Sequence, residues 1–229
     1  MIDLVNLDSI PYKRSLVIGT LLGDAYSRQQ GGKTLSKAEF TIAHCLQQAD
    51  LVEWKAAEIG RLYGKAVKVN YNLNANRASF HITQSGRLRI IHRWFHRNHT
   101  KVVSEKIRFM DHPIGLSMLL CDDGSILKRK KSRSDGSLHY LSPCITIATH
   151  GFDEGSVRLL LEWIEIVCGA KGYINPERRL RAGQIMSYPR IRFNVENSRR
   201  LWKYVEAWIP QVPSMSAKFS YAIDAFSSD

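Results

Sequence analysis

The sequence predicts an α+β fold, a tandem duplication of one αββαββα module with an antiparallel sheet in each half. Two apolar segments that each lead into an acid, and two motifs that each occur twice, support this prediction. A chain of 229 residues accommodates two modules of ordinary domain size. We expect the first module over residues 1–110 and the second over residues 111–229.

The matching segments keep their order along the chain. They are Asp24 and Asp123, the strand motifs at 41–44 and 146–149, and the Phe-containing strands at 80–82 and 193–195. Their separations increase from 99 to 105 to 113 residues, as expected if the second copy carries short loop insertions. Chance matches would not keep this order, so we predict two copies of one structural unit.

Each element of the module follows from local patterns. Pro11 suits a first helical turn, and the helix that it begins runs to about Gly23. The rest of the first copy reads as a strand over 37–44, an amphipathic helix over 49–62, a hairpin over 67–73 and 77–83, and a helix over 87–96. The second copy reads as a helix over 114–121, a hairpin over 125–148, a helix over 154–167, strands over 172–174 and 190–195, and a helix over 198–208. On the helix over 49–62 we expect the core face to carry Leu51, Trp54, Ile59 and Leu62.

Charge indicates a polyanionic partner. The formal net charge is +12 and the isoelectric point about 9.7, which favours nucleic acid. We expect loops at 27–33 and 128–133 and a turn at 178–181 to carry basic and polar groups, and polar strand residues at period two to share one face of each sheet. The predicted DNA contacts are Arg28, Gln30, Lys33, Lys37, Lys68, Asn70, Asn72, Lys128, Lys130, Lys131, Arg133, Arg179, Arg181, Arg190 and Arg192. The alternative for each is a solvated strand face or a charged loop.

Other functional classes find less support. No segment approaches the roughly 20 apolar residues of a membrane span, and the first residues lack a secretion signal. We therefore expect an intracellular protein, in a bacterial cytoplasm or an organelle matrix and not secreted, with four reduced and mostly buried cysteines. His92, His96 and His99 have helical spacing, but no Cys or acid completes a zinc site.

The two acidic segments resemble the paired signature of LAGLIDADG homing endonucleases, in the monomeric, pseudo-twofold form. Residues 16–26 are close to the first motif and 115–124 to the second, and 213–219 are similar to the closing Pro-x-Met-x-Tyr-Lys-Leu pattern. The resemblance covers nearly the whole chain. It implies two sheets forming a DNA-binding saddle, with the motif helices packed together at the centre. Gly19 and Gly23 would permit close approach, although Met118 stands where the first helix has Gly19.

An acid at the C-terminal end of a helix is mildly unfavourable unless it recruits a cation. Asp24 and Asp123 are therefore candidate ligands for Mg²⁺, with Mn²⁺ as a substitute. The resemblance places the carbonyls of Gly23 and Asp122 beside the metal, and Lys101 and Lys218 near the cleavage centre as further catalytic groups. The side chain of Asp122 is either a further acid near the metal or a turn residue, and we favour the turn.

The expected function is site-specific cleavage of double-stranded DNA at a long, asymmetric target by a monomer encoded in a mobile intron. One alternative is an RNA-splicing maturase on the same scaffold, which would add intron RNA as a partner. The other is a binding-only DNA regulator. Retention of both acids and both lysines argues for the nuclease.

Overall fold

The computed structural model describes residues 10–29, 37–132, 135–181 and 183–226. None of the helices in this part of the chain combines the length and the apolar character that a membrane span requires.

The first half consists of three helices around a four-stranded sheet. Its elements are α1 (Ile10–Leu22), β1 (Tyr26–Gln29), β2 (Lys37–Cys45), α2 (Ala49–Tyr63), β3 (Asn70–Asn72), β4 (Arg77–Ser85) and α3 (Arg87–Phe95). The strands are antiparallel in the order β1-β2-β4-β3. A short hairpin of β5 (His96–Arg97) and β6 (Thr100–Lys101) and a 3₁₀ helix (Glu105–Phe109) lead to the second half.

The second half repeats this order and adds a hairpin and a final helix. Its elements are α4 (Pro113–Asp123), β7 (Gly124–Ser132), β8 (Leu138–Ala148), α5 (Glu154–Cys168), β9 (Gly172–Ile174), β10 (Glu177–Arg181), β11 (Gln184–Tyr188), β12 (Arg190–Phe193), α6 (Val195–Val205) and α7 (Pro213–Phe226). The antiparallel order β7-β8-β12-β9 matches that of the first sheet, and β10 and β11 pair only with each other. The predicted αββαββα order is therefore present twice, as two antiparallel sheets.

The central helices α1 and α4 pack directly against each other. Every residue from Ser15 to Leu22 is buried, as is every residue from Ile114 to Cys121, which is expected of helices that are apolar on all sides. Gly19 lies against the backbone of Gly115, and a Cβ at Gly19 would overlap the Gly115 carbonyl. The predicted close approach at Gly19 is confirmed, with Gly115 as its partner in the second helix.

Three predictions about the basic segments were wrong. Where the structure describes the segments predicted as loops at 27–33 and 128–133 and as a turn at 178–181, they are strands. Tyr26–Gln29 forms β1, residues 128–132 belong to β7, and 178–181 belong to β10. β1 and β7 are edge strands, where charged side chains are well tolerated because one side of the strand meets solvent. In β10 the basic residues Arg178, Arg179 and Arg181 lie on one strand of a two-stranded hairpin that supplies its own backbone pairing.

The core face of α2 also differs from the prediction. Leu51 and Ile59 are buried as expected, but Trp54 and Leu62 are only partly buried. The buried face instead includes Lys55, which has no exposed surface. A lysine can occupy this position because Asp122 of α4 provides a buried partner for its ammonium group.

The four cysteines are free. Cys121 and Cys144 are buried, Cys168 is partly buried and Cys45 is exposed.

Candidate active site

The ends of α1 and α4 bring two acids to the centre of the molecule. Asp24 follows the end of α1 and keeps 45% of its side chain exposed, whereas Asp123 is the last residue of α4. Burial, reinforced by the negative charges of Asp24 and Asp122, raises the pKa of Asp123 to about 7. A cation placed beside these carboxylates would therefore relieve electrostatic repulsion.

Each acid has a lysine bound to the backbone just before it. Lys101 Nζ donates to the Gly23 carbonyl at 2.5 Å. Lys218 Nζ donates to the Cys121 carbonyl at 2.6 Å and to the Asp122 carbonyl at 3.2 Å. Burial lowers the pKa of both lysines, and the nearby aspartates oppose that shift. The four residues singled out in the sequence as catalytic are thus brought to one place, with the same arrangement in each half.

The side chain of Asp122 is fully buried and forms an ion pair with Lys55, which is also fully buried. Its Oδ2 accepts a hydrogen bond from the backbone N–H of Asp24 at 3.1 Å. Because Asp122 lies within α4 and its carboxylate points into the interior, its interpretation as a turn residue was wrong.

His44 lies between the two carboxylates of this centre. Its Nδ1 is 3.4 Å from Asp24 Oδ2, and its Nε2 is 3.5 Å from Asp122 Oδ1. Burial and the charge of Lys55 lower the pKa of His44, while Asp122 and Asp24 act in the opposite direction. Nε2 is buried and makes no hydrogen bond, so its polar contact at this centre is the ion-pair distance to Asp122 alone.

A divalent cation fits the chemistry of this centre. Among the described residues, Asp24, His44 and Asp122 form the one group of three or more His, Cys, Asp or Glu side chains with ligand atoms within 4.8 Å of one another. Carboxylates and carbonyls suit Mg²⁺ and similar hard ions. Since Lys55 already compensates the Asp122 carboxylate, Asp24 and Asp123 are the acids of this centre that could hold a cation.

The first sheet has one covered face and one open face. Ala38, Phe40 and Ile42 of β2 point into the core beneath α2 and α3. The opposite face carries Asn70 and Asn72, which align with Ser79 and Arg77 of β4. Arg28 also lies on this open face, where it forms an ion pair with Glu39 at 3.2 Å.

The second sheet has a similar open face. Ile191 and Phe193 of β12 are buried, whereas Arg190 and Arg192, which alternate with them, are only partly buried. Tyr173 lies beside Arg192 in the sheet. Glu177 of the additional hairpin forms ion pairs with Arg190 and Arg179, which ties this hairpin to the open face.

The other predicted DNA contacts lie in several places. Lys68 is exposed before β3, and Lys128 and Lys130 are exposed on β7. The Lys128 ammonium lies 5.5 Å from the centre of the Tyr221 ring. Gln30, Lys33 and Arg133 lie outside the described residues, as do the side chains of Lys37, Lys131 and Arg181.

The sequence-based reasoning missed Lys55 and His44. A signal for Lys55 was available, because it lies four residues from both Leu51 and Ile59 and therefore on the apolar face of α2. The signal for His44 was its place at the end of an alternating strand, on the same side as Phe40 and Ile42.

The fold is similar to that of solved homing endonucleases. The chain is 16% identical to I-WcaI, solved bound to its DNA recognition sequence, with a TM-score of 0.60 over 91% of this chain and 85% of that one. It is 13% identical to I-SmaMI bound to cleaved DNA, with a TM-score of 0.56 and coverage of 93% and 88%. Mesophilic variants of I-DmoI match with 12% identity, a TM-score of 0.54 and coverage of 88% and 97%.

No curated protein matches the chain significantly. A family model for the LAGLIDADG DNA endonuclease family matches residues 14–201, a range that includes both acids, all of α4 and most of α1. The chain is therefore a two-domain, single-chain member of the LAGLIDADG DNA endonuclease family.

Proposed function

We propose that this protein is a homing endonuclease that cuts both strands of DNA at one long, asymmetric site. The proposal includes a dependence on Mg²⁺, for which Mn²⁺ can substitute, and a gene located in a mobile intron. The observation that carries it is the paired arrangement at the helix ends, where Asp24 and Asp123 lie together and Lys101 and Lys218 bind the adjacent carbonyls.

In this proposal Asp24 and Asp123 hold the cation together with the carbonyls of Gly23 and Asp122. A bound divalent cation would neutralise phosphate charge and lower the pKa of a coordinated water. We propose that both lysines act on the scissile phosphates, which is supported by the bond of each ammonium group to the carbonyl just before an acid. Electrostatic stabilisation of the charge that develops in the transition state is usually a large contribution to the catalysis of such reactions.

The open faces of the two sheets form the proposed DNA-binding surface. The net charge of +12 favours the DNA backbone, and the polar strand side chains suit base edges in the major groove. I-WcaI and I-SmaMI, which share this fold, were solved with DNA. Because a hairpin of β10 and β11 separates β9 from β12, whereas a short turn at 73–76 joins β3 to β4, the two half-sites of the target should differ. One chain contains both halves, so we propose that it acts as a monomer.

Cleavage of intron-free DNA tests this function. The protein is incubated with Mg²⁺ and intron-free genomic DNA from candidate hosts, and new ends are sequenced. We expect one recurrent double-strand break with short 3′ overhangs. The Asp24→Asn/Asp123→Asn protein is the matched control, and it should bind the same site without cutting it.

Other outcomes would change the assignment. Full cleavage by the double variant would contradict the roles proposed for the two acids. Tight binding to an intron transcript without any metal-dependent break would favour a maturase, and specific DNA binding without cleavage would favour a regulator.

A further inference from the structure

The site at the ends of α1 and α4 contains a buried ion pair beside Asp24, and the corresponding positions beside Asp123 do not. α2 and α5 each contain 15 residues and each end at a left-handed glycine, Gly64 or Gly169. In this alignment Lys55 corresponds to the buried Leu160. Since Asp24 corresponds to Asp123, Asp122 corresponds to Gly23. One side therefore has an aspartate and a lysine, and the other has a glycine and a leucine.

The two central acids are also supported differently. Asp123 lies within α4, so the helix itself holds its backbone. Asp24 lies beyond the end of α1, in the turn before β1. There its backbone N–H donates to Asp122 Oδ2, and the Asp122 side chain occupies the space where a Cβ of Gly23 would lie. The position of Asp24 thus depends on a carboxylate from the other half of the molecule.

Lys55 in turn fixes that carboxylate. Its ammonium group binds Asp122 Oδ1, and both side chains are completely buried. A buried ion pair contributes little net stability compared with apolar residues of similar volume. Stability alone therefore gives no reason for Asp and Lys to stand where the other side has Gly and Leu.

We infer that the Asp122–Lys55 pair is a positioning device for Asp24 that makes the two strand cleavages unequal. The inference rests on the proposed endonuclease function. Neither side chain reaches solvent, so neither touches DNA, and the pair acts only through the backbone of Asp24 and its surroundings. Cleavage of one strand should depend on the pair much more than cleavage of the other.

The test uses a supercoiled plasmid that carries the target site identified above, with each strand labelled separately. The variant Asp122→Gly/Lys55→Leu installs on this side the residues that the chain itself uses on the other. We expect it to fold, because no buried charge is left unpaired. One strand should be cut about tenfold more slowly and the other within about twofold of the original rate, so that nicked circles accumulate.

A matched control changes an ion pair that joins the same two halves elsewhere. Arg14, near the start of α1, pairs with Asp111 at 2.6 Å and is partly exposed. The variant Arg14→Met/Asp111→Asn should keep the strand ratio of the unmodified protein. If the Gly/Leu variant does not fold, Asp122→Ala/Lys55→Met keeps helix-forming residues and also removes the acceptor for the Asp24 N–H.

The outcomes separate the inference from the function on which it rests. A folded double variant that cuts both strands in the original ratio would overturn the positioning role while leaving the endonuclease intact. Failure of the unmodified protein to cut any DNA would instead overturn the proposed function, and the inference with it. A changed ratio in the Arg14 and Asp111 variant as well would overturn the inference, because the effect would then follow from any loosening between the halves.

Discussion

The two halves of this molecule share strand order and central acids but differ behind those acids. Gly23 of the first half corresponds to Asp122 of the second, and Leu160 of the second half corresponds to Lys55 of the first. The groups that face the shared centre are matched in type, Asp24 with Asp123 and Lys101 with Lys218, and each lysine donates to the carbonyl of the residue before its acid. The candidate catalytic residues are therefore alike in the two halves, whereas the buried residues that support them differ.

The largest effect should come from breaking one partner of the buried pair. Lys55→Leu alone leaves the Asp122 carboxylate buried without its cation, and we expect the free energy of unfolding to fall by about 3–5 kcal/mol. Urea denaturation of the purified protein measures this loss. The Asp122→Gly/Lys55→Leu double variant should recover most of it, and a single variant as stable as the double would contradict the buried-charge interpretation.

The stability cost of adding a methyl group should also differ between Gly19 of α1 and Gly115 of α4. A Cβ at Gly19 would overlap the backbone of Gly115, which cannot move aside without separating the helices. A Cβ at Gly115 would overlap Cγ of the buried Met110 side chain and would lie 2.9 Å from the Ser15 carbonyl oxygen of α1, whereas the overlap of a Cβ at Gly19 with the Gly115 carbonyl oxygen would be closer than either. We expect Gly19→Ala to cost about 1–3 kcal/mol and Gly115→Ala to cost less, as measured by denaturation. Equal costs would contradict the expected difference between the tighter backbone contact at Gly19 and the looser one at Gly115.

When divalent metal is removed by a chelator, replacing Asp123 should change the pH dependence of stability more than replacing Asp24. The pKa of Asp123 is raised to about 7 by burial and by Asp24 and Asp122, so folding favours its neutral form. Stability is then lost as pH rises from about 4 to 7. Asp123→Asn removes this loss and should stabilise the protein by about 1–2 kcal/mol at pH 8, with little effect at pH 4.

Thermal unfolding at several pH values checks this prediction, and Asp24→Asn is the comparison. The Asp24 carboxylate is 45% exposed, so its replacement should give a smaller gain at pH 8. A gain from Asp24→Asn as large as that from Asp123→Asn would show that the two acids are buried alike.

The smallest effect concerns His92 in α3 and His96 just after it. The matching helix of the second half, α6, contains no histidine. Burial, with a contribution from His92, lowers the pKa of His96 to about 4, and its ring stacks on His92 at 4.3 Å. Since the folded state favours the neutral ring, stability should be lost as pH falls from about 6.5 towards 4. His96→Leu should reduce the decrease in melting temperature between pH 7 and pH 5, and an unchanged decrease would contradict the prediction.

Much of the fold and part of the centre could be predicted from sequence. The positions of Asp24 and Asp123 depend on local sequence patterns. So does the alternation along β2 and β4 in the first half and along β8 and β12 in the second. The prediction went wrong where a tertiary partner decides the outcome. The basic run at 128–132 is a strand because β8 pairs with it, and this pairing partner cannot be read from the run itself.

The buried pair shows the same limit at the site. Lys55 falls on an apolar helix face, which ordinarily excludes lysine unless a partner is present. Its partner Asp122 lies 67 residues away, and no periodicity connects the two positions. The sequence therefore indicates that an acid stands near the centre but gives no indication of what that acid binds.

The Asp122–Lys55 pair also determines which halves can associate. A symmetric dimer of two first halves would bury Lys55 opposite Gly23 and leave the ammonium group without a carboxylate. A symmetric dimer of two second halves would bury Asp122 opposite Leu160 and leave the carboxylate without a cation. Only the combination of one first half with one second half neutralises both charges. A homodimer of either half would therefore contain unpaired buried charges, which favours the form in which both halves belong to one chain.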